Sequence, residues 1–172
     1  MPPITTEWPQ FFTATNLQWK HLLKPDKYKD IIIDSLRFLV DNKRIKLYSF
    51  VIMINHLHLI WQMHPFIEPK SVQRDFLKFT ARKIKADLAK HHQAVLDHFL
   101  VNAKDRNYQF WERHALSVEL RAHEIFVQKM NYIHWNPVRA GLCASPEEYK
   151  YSSARFYEEG IDNWGFLTNY HD

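Results

Sequence analysis

The chain has 172 residues, with 23 lysines and arginines against 19 acids and a formal charge of +4. That length suits one compact domain, and 46% hydrophobic with 15% aromatic residues excludes an intrinsically disordered chain. Three glycines argue against a glycine-rich nucleotide-binding design, and the lone Cys143 excludes an internal disulfide and a cysteine-rich zinc site. The cysteine usage fits a reducing cytoplasm. The segment Met1 to Glu7 lacks the basic and apolar regions of a signal peptide, and no apolar run approaches the roughly 20 residues that span a bilayer. A cytoplasmic protein without a membrane partner is expected, as one domain over 1–172 with a core at about 8–157 and a loosely attached C-terminal tail. The basic balance fits a polyanionic partner.

Phe11 to Trp19 is β-branched and aromatic and predicts a first strand. Pro25-Asp26 opens a helix whose apolar stripe is Ile32, Leu36, Leu39 and Val40. Arg44 to Met53 reads as a central strand, Ile54-Asn55 as a turn, and His56 to Met63 as the strand that completes a hairpin. Ser71 can cap a long helix reaching about Lys90, with Leu77, Ala81, Ile84 and Leu88 towards the core. The stretch from His91 to Arg106 has no clear pattern, and a short strand is expected within Phe110 to Val118. A further helix starts near Leu120, carries Ala122, Ile125, Phe126, Met130 and Ile133 on one side, and should stop near Asn136 because Pro137 follows. Another short helix can start within Pro146 to Tyr157. Strand, helix, strand pair, helix, strand, helix predicts an α+β sandwich on an antiparallel sheet, of ferredoxin-like type.

Three groups of residues carry chemistry. On a strand, His56 and His58 point to one face, so both imidazoles can reach one ion, while Leu57, Leu59 and Trp61 point to an apolar layer. Two histidines alone are too few for a divalent cation, and exposed structural histidines are the bland alternative. On the last helix, Tyr132 and Asn136 are one turn apart. A phenol beside a carboxamide and a cation can attack a phosphodiester; a core tyrosine before a helix-ending Asn-Pro is the competing reading, and Gln128 is equally one turn away. Arg74, Lys78, Arg82 and Lys85 form a cationic stripe that can track a phosphate backbone or merely face solvent. Trp61, Trp111 and Trp135 are candidates for stacking on unpaired bases.

Four segments in order, Tyr48 to Trp61, Phe110 to Arg113, Tyr132 to Leu142 and Pro146 to Tyr157, resemble the IS200-like, single-tyrosine (HUH) transposases, and within them the repeat-associated tyrosine transposases. The resemblance implies a ferredoxin-like fold and cleavage and rejoining of single-stranded DNA, often hairpin-bearing, by a monomer or homodimer. It assigns His56 and His58 to the metal pair, Tyr132 to the nucleophile and Asn136 to the completing amide, with Mg²⁺ or Mn²⁺ as the ion. Ile54 stands where relatives commonly have proline, which is expected to loosen that turn. A metallo-β-lactamase-type hydrolase would need Asp-His after the histidine pair, where this chain has Leu59-Ile60, and a two-histidine phosphodiesterase would need a second such motif. A non-catalytic repeat-DNA-binding protein on the same fold is the remaining alternative.

Overall fold

The chain runs through β1 (Gln10–Thr15), α1 (Asp26–Asp41), β2 (Ile45–Ile52), β3 (His56–Met63) and α2 (Pro69–His91). A short α3 (Gln93–Asp97) and a small hairpin of β4 (Leu100–Ala103) and β5 (Arg106–Tyr108) follow, then β6 (Leu116–Glu119), α4 (His123–Arg139) and α5 (Ala154–Glu159). The computed structural model describes residues 8–172. Four strands form one sheet in the order β2-β3-β1-β6, every neighbouring pair antiparallel. With α1 between β1 and β2 and α2 between β3 and β6, this is the ferredoxin-like βαββαβ arrangement, with α3 and the β4–β5 hairpin inserted before the fourth strand.

The alternation in β3 decides the layering. Leu57, Leu59 and Trp61 are fully buried against α1 and α2, in a core that also holds Phe12, Ile32, Leu36, Phe76 and Ile84. The opposite face carries His56, His58 and Ile60 and is covered by α4 through Phe126, Met130 and Ile133. The sheet thus separates two helical layers, and the histidine pair lies on the α4 side. A register shift in β2 between Leu47 and Ser49 changes which positions face the first core, from Ile45 and Leu47 before it to Phe50 and Ile52 after it, and Tyr48 at the bulge donates to Gln62 Oε1 at 2.7 Å.

Several boundaries differ from expectation. β1 stops at Thr15, and Leu17–Trp19 is a 3₁₀ turn rather than strand. α2 begins at Pro69, whose missing N–H costs nothing at a first helical position, and Ser71 donates to the Glu68 carboxylate instead of capping. Its buried face is Val72, Phe76, Thr80, Ile84 and Leu88, so Leu77 and Ala81 sit at the margin. The strand expected within Phe110 to Val118 is β6, and Trp111 forms only an isolated bridge to Asn16. α4 continues through Pro137 to Arg139, because a proline there removes one hydrogen bond while the last turn is closed by Ala140 N to Asn136 O and Leu142 N to Pro137 O. The residues after α5, expected to attach loosely, lie along β2: Thr168 N donates to Leu47 O at 2.8 Å, Phe166 is buried and Trp164 stacks on Tyr151. They shield the outer edge of β2, which would otherwise offer unpaired backbone.

Candidate active site

The turn between β2 and β3 sets where the first histidine stands. Met53 N donates to His56 O, and the turn carbonyls of Ile54 and Asn55 accept from the amides of Leu23 and Asn16. The turn is therefore tied from both sides without a proline at position 54. His56 is half-buried, and its Nδ1 lies 2.7 Å from Asn55 Oδ1. Since that oxygen can only accept, Nδ1 carries the proton and Nε2 presents a lone pair. His58 is buried and pairs across the ladder with Thr13, whose hydroxyl is 2.7 Å from its Nδ1. His58 Nε2 is buried and has no hydrogen-bond partner.

α4 carries the other two groups over this pair. The Tyr132 ring meets the His58 ring edge-on at 5.3 Å, and Asn136 Nδ2 lies 3.4 Å from His56 Nε2. The spacing explains the match. Four helical residues rise about 6 Å, and two strand residues span roughly 6.6 Å, so Tyr132 and Asn136 fall over His58 and His56 respectively. Asn136 is thus the amide in contact with the pair, and Gln128 is exposed. Phe11 stacks flat against His58 at 5.3 Å and holds its plane.

Burial lowers the pKa of both histidines. For His58 it is pushed down to about 3, by burial first and then by the charges of His56, Arg139 and Lys129. Both rings are therefore neutral near pH 7, the form that binds a cation. Among the described residues no three or more His, Cys, Asp or Glu side chains cluster for a metal. Two imidazole nitrogens and an amide are consequently the donor set available here, and an unpartnered, buried Nε2 fits a metal ligand better than a structural histidine. His134 differs: its Nε2 bonds Ser153 Oγ at 2.8 Å on the other side of α4, so it is a core residue held neutral.

Motif reading left Arg139 and Lys129 without a role. The Arg139 guanidinium lies 4.7 Å over the Tyr132 ring and donates to the Tyr132 carbonyl at 2.6 Å, while Lys129 covers Phe11. Both bring positive charge to the open side of the site, where Tyr132 is 45% exposed. Arg139 follows Pro137, and only the continued helical turn carries it back over the tyrosine. Arg74, Lys78, Arg82 and Lys85 are exposed but sit on α2, behind the opposite face of the sheet. Arg74 and Lys78 line an open cleft of about 630 Å³ that also contains Arg106 and Arg113. Lys85 instead covers Tyr108, and Arg82 covers Phe79.

An antiparallel βαββαβ sheet that presents a histidine pair to a helix-borne tyrosine describes a class of protein. A family model described as IS200-like transposase matches residues 18–112, more than half of the chain, and the chain belongs to that family. The match includes His56 and His58 and ends before Tyr132. Among solved structures, a REP-associated tyrosine transposase bound to a REP hairpin superimposes with a TM-score of 0.67 at 16% identity, over 100% of this chain and 93% of that one. A transposase-like protein from Deinococcus radiodurans R1 has a TM-score of 0.47 at 14% identity, over 77% of this chain and 94% of that one. No curated protein sequence matches the chain. No helix among the described residues is long and apolar enough to cross a membrane.

Proposed function

We propose that this transposase nicks and rejoins single-stranded DNA through a covalent 5′-phosphotyrosine at Tyr132, next to a divalent cation, Mg²⁺ or Mn²⁺, held by His56, His58 and Asn136. The observation that carries the reading is the 5.3 Å approach of the Tyr132 ring to a buried His58 whose Nε2 has no partner. When bound, the ion neutralises charge on a phosphate and orients it. The remaining work falls to this chain's own side chains. Thr13 and Asn55 hold the imidazoles in their tautomers. Arg139 holds the tyrosine ring from above and, with Lys129, lends positive charge where negative charge gathers on phosphorus.

In the reaction Tyr132 Oη forms a bond to phosphorus as the bond from phosphorus to the 3′-oxygen breaks. The phenolic proton departs and the 3′-oxygen takes one up. The ester conserves the bond energy, so a second 3′-hydroxyl can reverse the step and join new ends without ATP. A hairpin-bearing repeat is the substrate suggested by the REP hairpin in the similar transposase. Incubating the protein with single-stranded oligonucleotides from its gene's flanks, with Mg²⁺ or Mn²⁺, should yield a covalent protein–DNA adduct on a denaturing gel. A protein that binds such hairpins tightly and never forms the adduct would be a repeat-binding protein instead.

A further inference from the structure

The turn after β1 holds a large aromatic side chain out into solvent next to the histidine pair. Gln18 and Trp19 both have positive φ, 53° and 58°, in the left-handed region that non-glycine residues avoid. Two successive residues in that conformation persist only when their surroundings pin them. Here Gln18 N donates to the Glu112 carboxylate at 2.6 Å, and Asn55 Nδ2 donates to the Trp19 carbonyl at 3.3 Å. The result is an indole 59% exposed that touches the His56 ring edge-on at 5.7 Å. Burial does not explain it, since the core takes nothing from that ring's outer face. Trp61 and Trp111, by contrast, are buried and have no face to offer a base.

Glu112 links this turn to the basic cleft. Its carboxylate holds Gln18 while its own residue lines the cleft wall, and Trp111 beside it bridges Asn16. Four cationic side chains, Arg74, Lys78, Arg106 and Arg113, line the cleft against two acids, Asp105 and Glu112. Asp105 is shared between Arg106 and Arg113 at 3.1 and 3.0 Å, which holds both guanidinium groups in place. Leu77 and Ala81 supply apolar floor between these charges. Cations spaced over an apolar floor suit the phosphates and bases of an unpaired strand.

We propose that Trp19 is a stacking platform for an unpaired base beside the phosphate attacked by Tyr132, and that the strand leaving it enters the cleft lined by Lys78, Arg106 and Arg113. This rests on the single-stranded DNA reading of the site and names its nucleotide contacts. Glu112 acts as a positioning residue that keeps the strained turn.

The test uses the full chain carrying Tyr132→Phe, to prevent turnover, and a fluorescent hairpin oligonucleotide with unpaired flanks. Trp19→Ala should weaken binding about tenfold, the scale of one lost base stack, and Trp19→Phe should stay within about threefold of its parent. Moving one abasic site along the flanks should find a position at which Trp19→Ala costs nothing further. Unchanged affinity for Trp19→Ala, or a penalty that persists at every abasic position, overturns the platform. Because Trp19 is largely exposed, melting temperatures should match, and a large drop would count against it as well. Adduct formation by the tyrosine-intact protein is scored separately. An adduct with no Trp19 effect sinks the platform alone, whereas an abasic-specific Trp19 effect without adduct keeps the platform and sinks the cleavage reading.

Discussion

Thr13 faces His58 across the β1–β3 ladder, and nothing in its immediate sequence suggests a role. Cross-strand register, not local spacing, brings its hydroxyl within 2.7 Å of Nδ1. Thr13→Val keeps the shape and removes that partner, leaving Nδ1 of a buried imidazole without the bond that selects its tautomer. Orienting bonds of this kind are worth about 10- to 100-fold in metal affinity. Titration with Mn²⁺, followed calorimetrically, should therefore give a Kd raised by at least about tenfold, and an unchanged Kd would remove Thr13 from the site. Tyr132→Phe deletes one exposed oxygen and no packing. It should abolish the covalent adduct while DNA affinity stays within about twofold; a phenylalanine variant that still cuts would mean the nucleophile is another residue. That His56 and His58 share a face, and Tyr132 and Asn136 another, was legible from the period of each element; Gln128 has the same spacing from Tyr132, so singling out Asn136 took the resemblance and not the period. Thr13, Trp19 and Arg139 were not legible, since their contacts depend on register, on a strained turn and on a helix that outruns its proline.

At the level of elements, α4 shows where a local rule fails. Pro137 disfavours helix in the residue before it, yet α4 runs on to Arg139, and the chain leaves it through Gly141 with φ of 76°. A Cβ at position 141 would meet no atom within 4 Å, so Gly141→Ala introduces conformational strain alone. The expected cost is about 1 kcal/mol in urea denaturation, with adduct formation at saturating DNA unchanged. A much larger loss would imply that the helix end, and Arg139 with it, depends on that cap. α2 poses a different question, because its cations lie behind the sheet rather than beside the histidines. Lys78 lines the cleft, and Arg82 lies one turn further on. Replacing both with alanine should weaken DNA binding and flatten its dependence on salt, by about 0.7 in logarithmic slope per lost phosphate contact on single strands. Parallel salt plots for the variant and its parent would show that the stripe only faces solvent. The β4–β5 hairpin that forms the cleft's other wall escaped prediction, since strands of four and three residues carry too few positions for a period.

For the whole molecule, the order of long elements was readable from apolar periodicity, and the order of strands in the sheet follows from connecting them by the ferredoxin-like rule. The layering has an electrostatic consequence, because α4 seals histidines on the sheet's second face. His134 is pushed down to about 4 by burial, and His58 to about 3. An unfolded chain would titrate both near 6.5. Below that pH the unfolded state binds protons that the folded state refuses, so stability must fall as pH falls from 6.5 towards 4. Each histidine contributes a slope of up to about 1.4 kcal/mol per pH unit across that window. Together they remove on the order of 5 kcal/mol by pH 4, comparable with the entire stability of many domains. Urea denaturation of chelator-treated protein should therefore show stability constant from pH 7 to 8 and dropping steeply below 6.5. His134→Gln, which carries no titrating group, should lose its share of that slope while His58, with His56 beside it, keeps the rest. A curve flat from pH 7 to 5 would mean that water reaches these rings, and that the face between β3 and α4 is not the dry layer required to keep His58 neutral.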